Sequence, residues 1–141
     1  MSLFNVFDVA GSAMNAETIR LNTTASNLAN AESVNGDVTK VYRARHPVFQ
    51  AMMNDADDGS GSDGEAKGVR VLGIVESTAP PLKTYQPDSP LADKDGYVYA
   101  SNVNSIEEMT NMISANRSFA TNVEAVNTVR DLLLKVISMG H

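Results

Sequence analysis

The chain has 141 residues, a length that points to one domain with at most a small insertion beside it. Eleven Lys and Arg stand against seventeen Asp and Glu, a net charge of −6, so there is no general electrostatic pull toward phosphate backbones or anionic lipid. Cys is absent, which excludes disulfides, thiolate catalysis and Cys-ligated zinc.

The N-terminus has no basic residue before Arg20, and Asp8 interrupts its apolar stretch. It therefore lacks both the charged start and the apolar run of a secretory signal peptide. No segment approaches the roughly 18 consecutive apolar residues of a membrane span. On these grounds the expected location is the cytoplasm, unless another export route carries the chain.

Residues 1–36 are assigned to an N-terminal helical segment, with a helix from about Asn5 to Ala31. Phe7, Met14, Leu21 and Leu28 recur every seven residues, and Ala10, Thr24 and Ala31 fall three positions after members of that row. Glu17 breaks the pattern. This is a narrow a/d stripe of the width used in a coiled-coil seam. The remaining surface is rich in Ser, Thr and Asn, which are mediocre helix formers, so the helix needs a partner.

Residues 37–101 form a β-rich insertion. Strands are expected at Val38 to Arg45, Val69 to Glu76, Leu82 to Tyr85 and Tyr97 to Ala100, separated by Pro80, Pro81, Pro87 and Pro90. Between the first two lies a Gly-, Ser- and Asp-rich stretch, residues 54–68, nearly free of apolar groups. Such a composition cannot offset its ordering entropy, so a mobile acidic loop is expected.

Residues 102–141 carry the strongest signal, a helix from about Ser105 to Met139. Ser105 and Glu108 read as a capping box, with Asn104 as a competing N-cap, and Gly140 stands where a C-cap glycine is expected. Ile106, Ile113, Ala120 and Leu134 repeat by sevens, joined by Met109, Val123 and Ile137, and a neighbouring row of Met112, Phe119, Val126 and Leu133 widens the stripe. Asn116, Asn127 and Arg130 interrupt these rows as register-setting polar groups do. A helix of about 34 residues is roughly 50 Å long, whereas a compact domain of this size has a radius of gyration of about 14 Å. The helix must project beyond the globule, which points to assembly. The expected class is α+β, with long N- and C-terminal helices and a small β-rich middle segment.

Chemistry-bearing motifs are scarce. His141 is terminal, and His46 lies between Arg45 and Pro47 with no nucleophile or orienting carboxylate placed by any motif. Gly59, Gly61 and Gly64 spell GxGxxG, but no helix pattern follows, so the dinucleotide reading fails. EF-hand frames centred on Gly59 or Gly96 put wrong residues at ligand positions: Asn54 and Ala56 in one, Leu91 and Asn102 in the other. A calcium module built on Asp58 and Glu65 is correspondingly disfavoured. Tyr42, Arg43, Arg45, His46 and Phe49 make too small a patch for nucleic acid in an acidic chain. No enzyme emerges from the residues, and neither a cofactor nor a small-molecule substrate is expected.

Longer strings are more specific. Leu21-Asn-Thr-Thr-Ala-Ser-Asn27-Leu28-Ala-Asn30-Ala, followed by Tyr42-Arg43-Ala-Arg45, resembles the N-terminal signature of the bacterial flagellar axial family of rod and hook proteins. Glu108-Met109, Met112-Ile113, Ala115, Arg117, Phe119 and Asn122 look like its C-terminal signature. Ser89-Pro-Leu-Ala-Asp-Lys-Asp-Gly-Tyr-Val-Tyr, running into Asn102-Val-Asn104, is similar to the proximal-rod class of that family. The spacing from Asn30 to Tyr42 is longer than in the general rod signature, as in that class, and Phe119 stands where Tyr is common.

The resemblance implies a structural subunit of the flagellar basal-body rod, whose terminal helices pack as an antiparallel coiled coil and whose copies stack helically to carry motor torque. It implies partners among the other rod subunits (FlgB, FlgF, FlgG), the rod base protein FliE and the flagellar type III export apparatus. It also implies a rod in the periplasm, exported without a cleaved signal peptide. Interface residues are then expected at Leu21, Asn27, Leu28, Asn30, Arg43, Arg45, Met109, Met112, Ile113, Asn116, Arg117, Phe119 and Asn122. The amides of Asn27, Asn30, Asn116 and Asn122 are hypothesised to fix register between subunits, and Arg43 and Arg45 to pair with the next subunit. The alternative is a soluble coiled-coil adaptor or a type III-secreted effector with a two-helix docking surface.

Overall fold

The computed structural model describes residues 3–53 and 66–140. Its elements run α1 (Leu3–Ala29), β1 (Val34–Asn35), β2 (Arg45–Met53), β3 (Ala66–Glu76), β4 (Leu82–Tyr85), β5 (Tyr97–Ala100) and α2 (Ser105–Met139). The molecule is α+β, with a long helix at each end and small sheets between. Strands β1, β5 and β4 form a three-stranded sheet in that order, and β2 pairs with β3 in a two-stranded ribbon. Both pairings in the larger sheet are antiparallel, with Val34 opposite Ala100 and Thr84 opposite Val98.

Two compact units divide the chain. One comprises Met1–Ile19, Val48–Gly73 and Ser114–His141, and the other Arg20–Pro47 and Ile74–Ile113. In the first, Ala10, Ala16 and Val129 are buried; in the second, Val41, Ala44, Val98 and Val103 are. These are small side chains. The core therefore gains little hydrophobic free energy per residue, since stabilisation scales with the apolar area removed from water.

Strands β4 and β5 fall on the two short runs expected to be strands, β4 between Pro81 and Pro87. The first expected strand does not. Residues 38–44 form turn and irregular backbone, and the strand begins at Arg45 and runs through Pro47 to Met53. Local side-chain bonds win over strand pairing: Asn35 Oδ1 accepts from the Asp37 amide at 3.0 Å, and Asp37 Oδ1 accepts from the Thr39 amide at 2.9 Å. Pro47 is tolerated because every strand of a two-stranded ribbon is an edge strand. Residues 66–68 of the expected mobile loop belong instead to β3, while residues 54–65, with Asp58, the GxGxxG glycines and Glu65, lie outside the described residues, as does His141. Gly68 is the reason β3 reaches so far back. At φ +136° it is buried against Ser12 of α1, whose hydroxyl accepts from the Val69 amide at 3.0 Å, and a Cβ there would strike the Ser12 side chain.

At the start of α2 the competing cap prevails. Asn104 Oδ1 accepts from the amides of Ile106 at 3.1 Å and Glu107 at 3.4 Å, so Asn104 is the N-cap and Ser105 the first helical residue. Glu107 and Glu108 place negative charge in the first turn, where the helix dipole favours it. Gly140 follows the helix and donates its amide to the Ile137 carbonyl at 3.2 Å, without the left-handed backbone typical of a glycine cap.

Candidate functional site

The C-terminal end of α1 organises a dense polar network. Asn27 is 1% exposed, and its carboxamide closes on the backbone of Arg45: Nδ2 donates to the carbonyl at 2.8 Å and Oδ1 accepts from the amide at 2.9 Å. The same Oδ1 accepts from the Tyr42 hydroxyl at 2.9 Å, and that hydroxyl sits 3.1 Å from Ser26 Oγ. Asn102 grips the preceding residue. Its Oδ1 accepts from the Ala44 amide at 2.8 Å and its Nδ2 donates to the Ala79 carbonyl at 2.9 Å. Residues 44 and 45 are therefore fixed by two asparagines nearly the length of the unit apart in sequence, and the Ala44 carbonyl accepts from the Ser77 amide at 2.7 Å.

Arg45 then turns its guanidinium to Glu76, with Nε at 3.2 Å and Nη2 at 3.0 Å from the carboxylate, and lies 5.5 Å from the Tyr42 ring centre. Both partners are about half exposed, so this pair orients side chains more than it stabilises the fold. Asn30 donates through Nδ2 to the Ser26 carbonyl at 2.8 Å within its own helix, and its carbonyl accepts from the Ser33 hydroxyl at 2.7 Å. Around this node the chain encloses a groove of about 430 Å³ whose lining includes Asn30, Lys40, Tyr42, Arg43, Arg45 and Glu76.

The sequence-derived interface residues thus divide. Asn27 is spent inside its own subunit, as is the Arg45 guanidinium. Leu21, Leu28, Asn30 and Arg43 are half-buried around the end of α1 and the turn that follows. On α2, Met112, Phe119 and Asn122 are half-buried, on the face that also buries Glu108, Ala115 and Val129. Met109, Ile113, Asn116 and Arg117 are exposed.

That partition exposes a feature the periodicity alone did not separate. The row Met112, Phe119, Val126 and Leu133 faces inward, whereas in the row one residue further on, about 100° round the helix, Ile113, Ala120 and Leu134 face out and Asn127 is half-buried. Ile106 is 78% exposed, Met109 51%, Ile113 55%, Leu134 58% and Ile137 61%. The stripe read as the principal seam is therefore open along nearly the whole of α2. Such an exposed apolar stripe, interrupted by Asn116, Asn127 and Arg130, marks an interaction surface. Asn102, the second backbone clamp, was visible in the sequence only as part of a family string. Its role became readable once Ala44 and Ala79 stood on either side of it.

Among the described residues no three His, Cys, Asp or Glu side chains gather as a metal site, and no helix is long and apolar enough to cross a membrane. His46 is exposed on β2.

Comparison with known proteins agrees with this geometry. Residues 7–36, which hold most of α1 and Asn27, match the family described as flagella basal body rod protein. Residues 94–139, which hold β5, Asn102 and α2, match the flagellar basal body rod FlgEFG protein C-terminal family. Over 141 residues, with both chains fully covered, the sequence is 48% identical to the flagellar basal-body rod protein FlgC of Yersinia enterocolitica and 46% identical to that of Salmonella typhimurium strain LT2. It is 37% identical over 144 aligned positions, again covering both chains, to the FlgC of Buchnera aphidicola subsp. Acyrthosiphon pisum.

Proposed function

The chain belongs to the FlgC family of flagellar basal-body rod proteins, and on that premise we propose that it is set into the proximal rod in many copies stacked helically around the export channel. It is a structural subunit of the rod. In this reading its neighbours are further copies of itself and the rod subunits FlgB, FlgF and FlgG, with FliE at the base. It leaves the cytoplasm through the flagellar type III apparatus without a cleaved signal, reaches the periplasmic rod, and there carries motor torque toward the hook.

The observation that carries the proposal is the open apolar stripe of α2, from Ile106 to Ile137. A helical stack buries such a stripe by heterologous contacts that need not close into a ring. The antiparallel coiled coil of α1 with α2 belongs to the same proposal, with Leu21 and Leu28 on the α1 side and Met112 and Phe119 on the α2 side. Asn116, exposed within the stripe, and the exposed Arg117 would set register between subunits, and Asn122 and Asn30 would contribute from the half-buried faces. Asn27 has no such freedom, because its amide is engaged within the subunit. A strain lacking this gene is expected to be non-motile and to build no rod, and a plasmid copy is expected to restore both. A deletion strain that still swims contradicts the proposal.

A further inference from the structure

The groove at the end of α1 is lined by three cations and one carboxylate, and the charges do not balance. Arg45 is satisfied by Glu76 at 3.0 Å, and Lys40 lies 3.8 Å from Asp37. Arg43, half-buried in the lining, has neither an ion pair nor a side-chain hydrogen bond among the described residues. We infer that this groove receives a carboxylate from a second copy of the chain, with Arg43 as the group that binds it, an inference resting on the rod-subunit reading above.

Three observations select that occupant. A guanidinium presents a planar fork of donors that matches a carboxylate in bidentate geometry, so the chemistry wanted at Arg43 is an anion with two oxygens. The lining beside it is polar, with Ser33, Asn35 and Thr39 among its residues, and suits a polar side chain rather than an apolar one. The chain itself carries a net charge of −6, with Glu107 and Glu124 exposed on α2, so a copy of this same protein supplies the complementary surface. A cationic groove on one copy and an acidic surface elsewhere on the next make a heterologous contact, which propagates along a stack instead of closing a two-fold dimer. The clamps of Asn27 and Asn102 on residues 44 and 45 hold the backbone next to Arg43 in place, so the groove is formed before the partner arrives.

The test is photo-crosslinking in cells that are building flagella. A photoreactive phenylalanine analogue replaces Val34, which is 44% exposed and lines the groove. The adduct is then mapped by mass spectrometry. The expected product joins two copies of this chain, with the acceptor on a peptide bearing an exposed Asp or Glu. Arg43→Glu is expected to lower its yield at least tenfold, Arg43→Gln to lower it severalfold, and Arg43→Lys to retain part of it. Because Arg43 has no ionic partner among the described residues, the thermal midpoint of the purified Arg43→Gln protein should match that of the wild type. An adduct to a different protein, no adduct, or a yield unchanged by Arg43→Glu overturns the inference while leaving the rod assignment standing. Absence of the unmodified chain from purified basal bodies overturns the assignment itself.

Discussion

The carboxamide of Asn27 holds both backbone polar groups of Arg45, donating to the carbonyl at 2.8 Å and accepting from the amide at 2.9 Å. A single α1 side chain thereby imitates a strand partner and fixes where β2 begins. Truncation removes three hydrogen bonds at once, counting that of Tyr42, and leaves buried groups unsatisfied. Asn27→Ala is expected to destabilise the purified chain by about 2–3 kcal/mol, a fall in Tm of roughly 6–12 °C. Asn27→Asp should be no milder, since a carboxylate cannot donate to the Arg45 carbonyl. Thermal unfolding followed by circular dichroism checks both, and a shift below about 1 °C would mean the clamp is dispensable.

Glycines at different places should respond with opposite signs. A Cβ at Gly36 would run into the Leu91 carbonyl oxygen, whereas at Gly11 of α1 it meets open space. Gly36→Ala is expected to cost about 1–3 kcal/mol through forced backbone shifts. Gly11→Ala should stabilise by about 0.5–1 kcal/mol, because it removes the entropic penalty of a helical glycine. Urea denaturation of the two variants reads both signs in one experiment.

Acid should loosen the turn between β4 and β5. The Tyr97 amide, foremost, holds the Asp93 carboxyl below its ordinary value of 3.8, aided by the Asp95 amide, the Tyr99 hydroxyl and Lys83. A carboxylate depressed by folding contributes stability above its unfolded pKa and loses that contribution as pH falls through the lower, folded value. The turn is therefore expected to be insensitive to pH between 5 and 8 and to open only below about pH 4. In Asp93→Asn that acid step should disappear. Amide resonances of Asp95 and Tyr97, followed by NMR titration, report it directly, and a wild-type transition near neutral pH would contradict the assignment.

The open face of α2 makes a sharper demand. Ile113 and Leu134 are more than half exposed, so Ile113→Asp and Leu134→Asp should change the stability of the isolated chain by no more than about 0.5 kcal/mol. Both should nevertheless abolish swimming and incorporation into basal bodies, since a charge would be buried without a partner in the assembled rod. Wild-type motility in either variant would remove the stripe from the interface.

Much of this architecture was legible in the sequence, for identifiable physical reasons. The bounds of β4 follow from a short β-prone run between Pro81 and Pro87, β5 from the β-prone Tyr97–Ala100, and α2 from a heptad pattern long enough to dominate every local preference. The start of β2 was not legible. It depends on Asn27 and Asn102 reaching residues 44 and 45 across 18 and 58 positions of sequence, and no local pattern encodes such bonds. The same limit applied to the faces of α2. Two apolar rows one residue apart are equally apolar in sequence, and only the tertiary packing decides that Met112 and Phe119 turn inward while Ile106 and Ile113 remain outside. The family strings around Asn27 and Asn102 marked both clamps, although the chemistry of each became apparent only with the backbone groups in view.

The most direct measurement of the central claim is quantitative mass spectrometry of extensively washed hook–basal bodies from the source bacterium. Recovery of this chain at a fixed ratio to the other rod subunits, in fewer copies than the hook subunit, is the predicted result. An intact rod from which the chain is absent would contradict it.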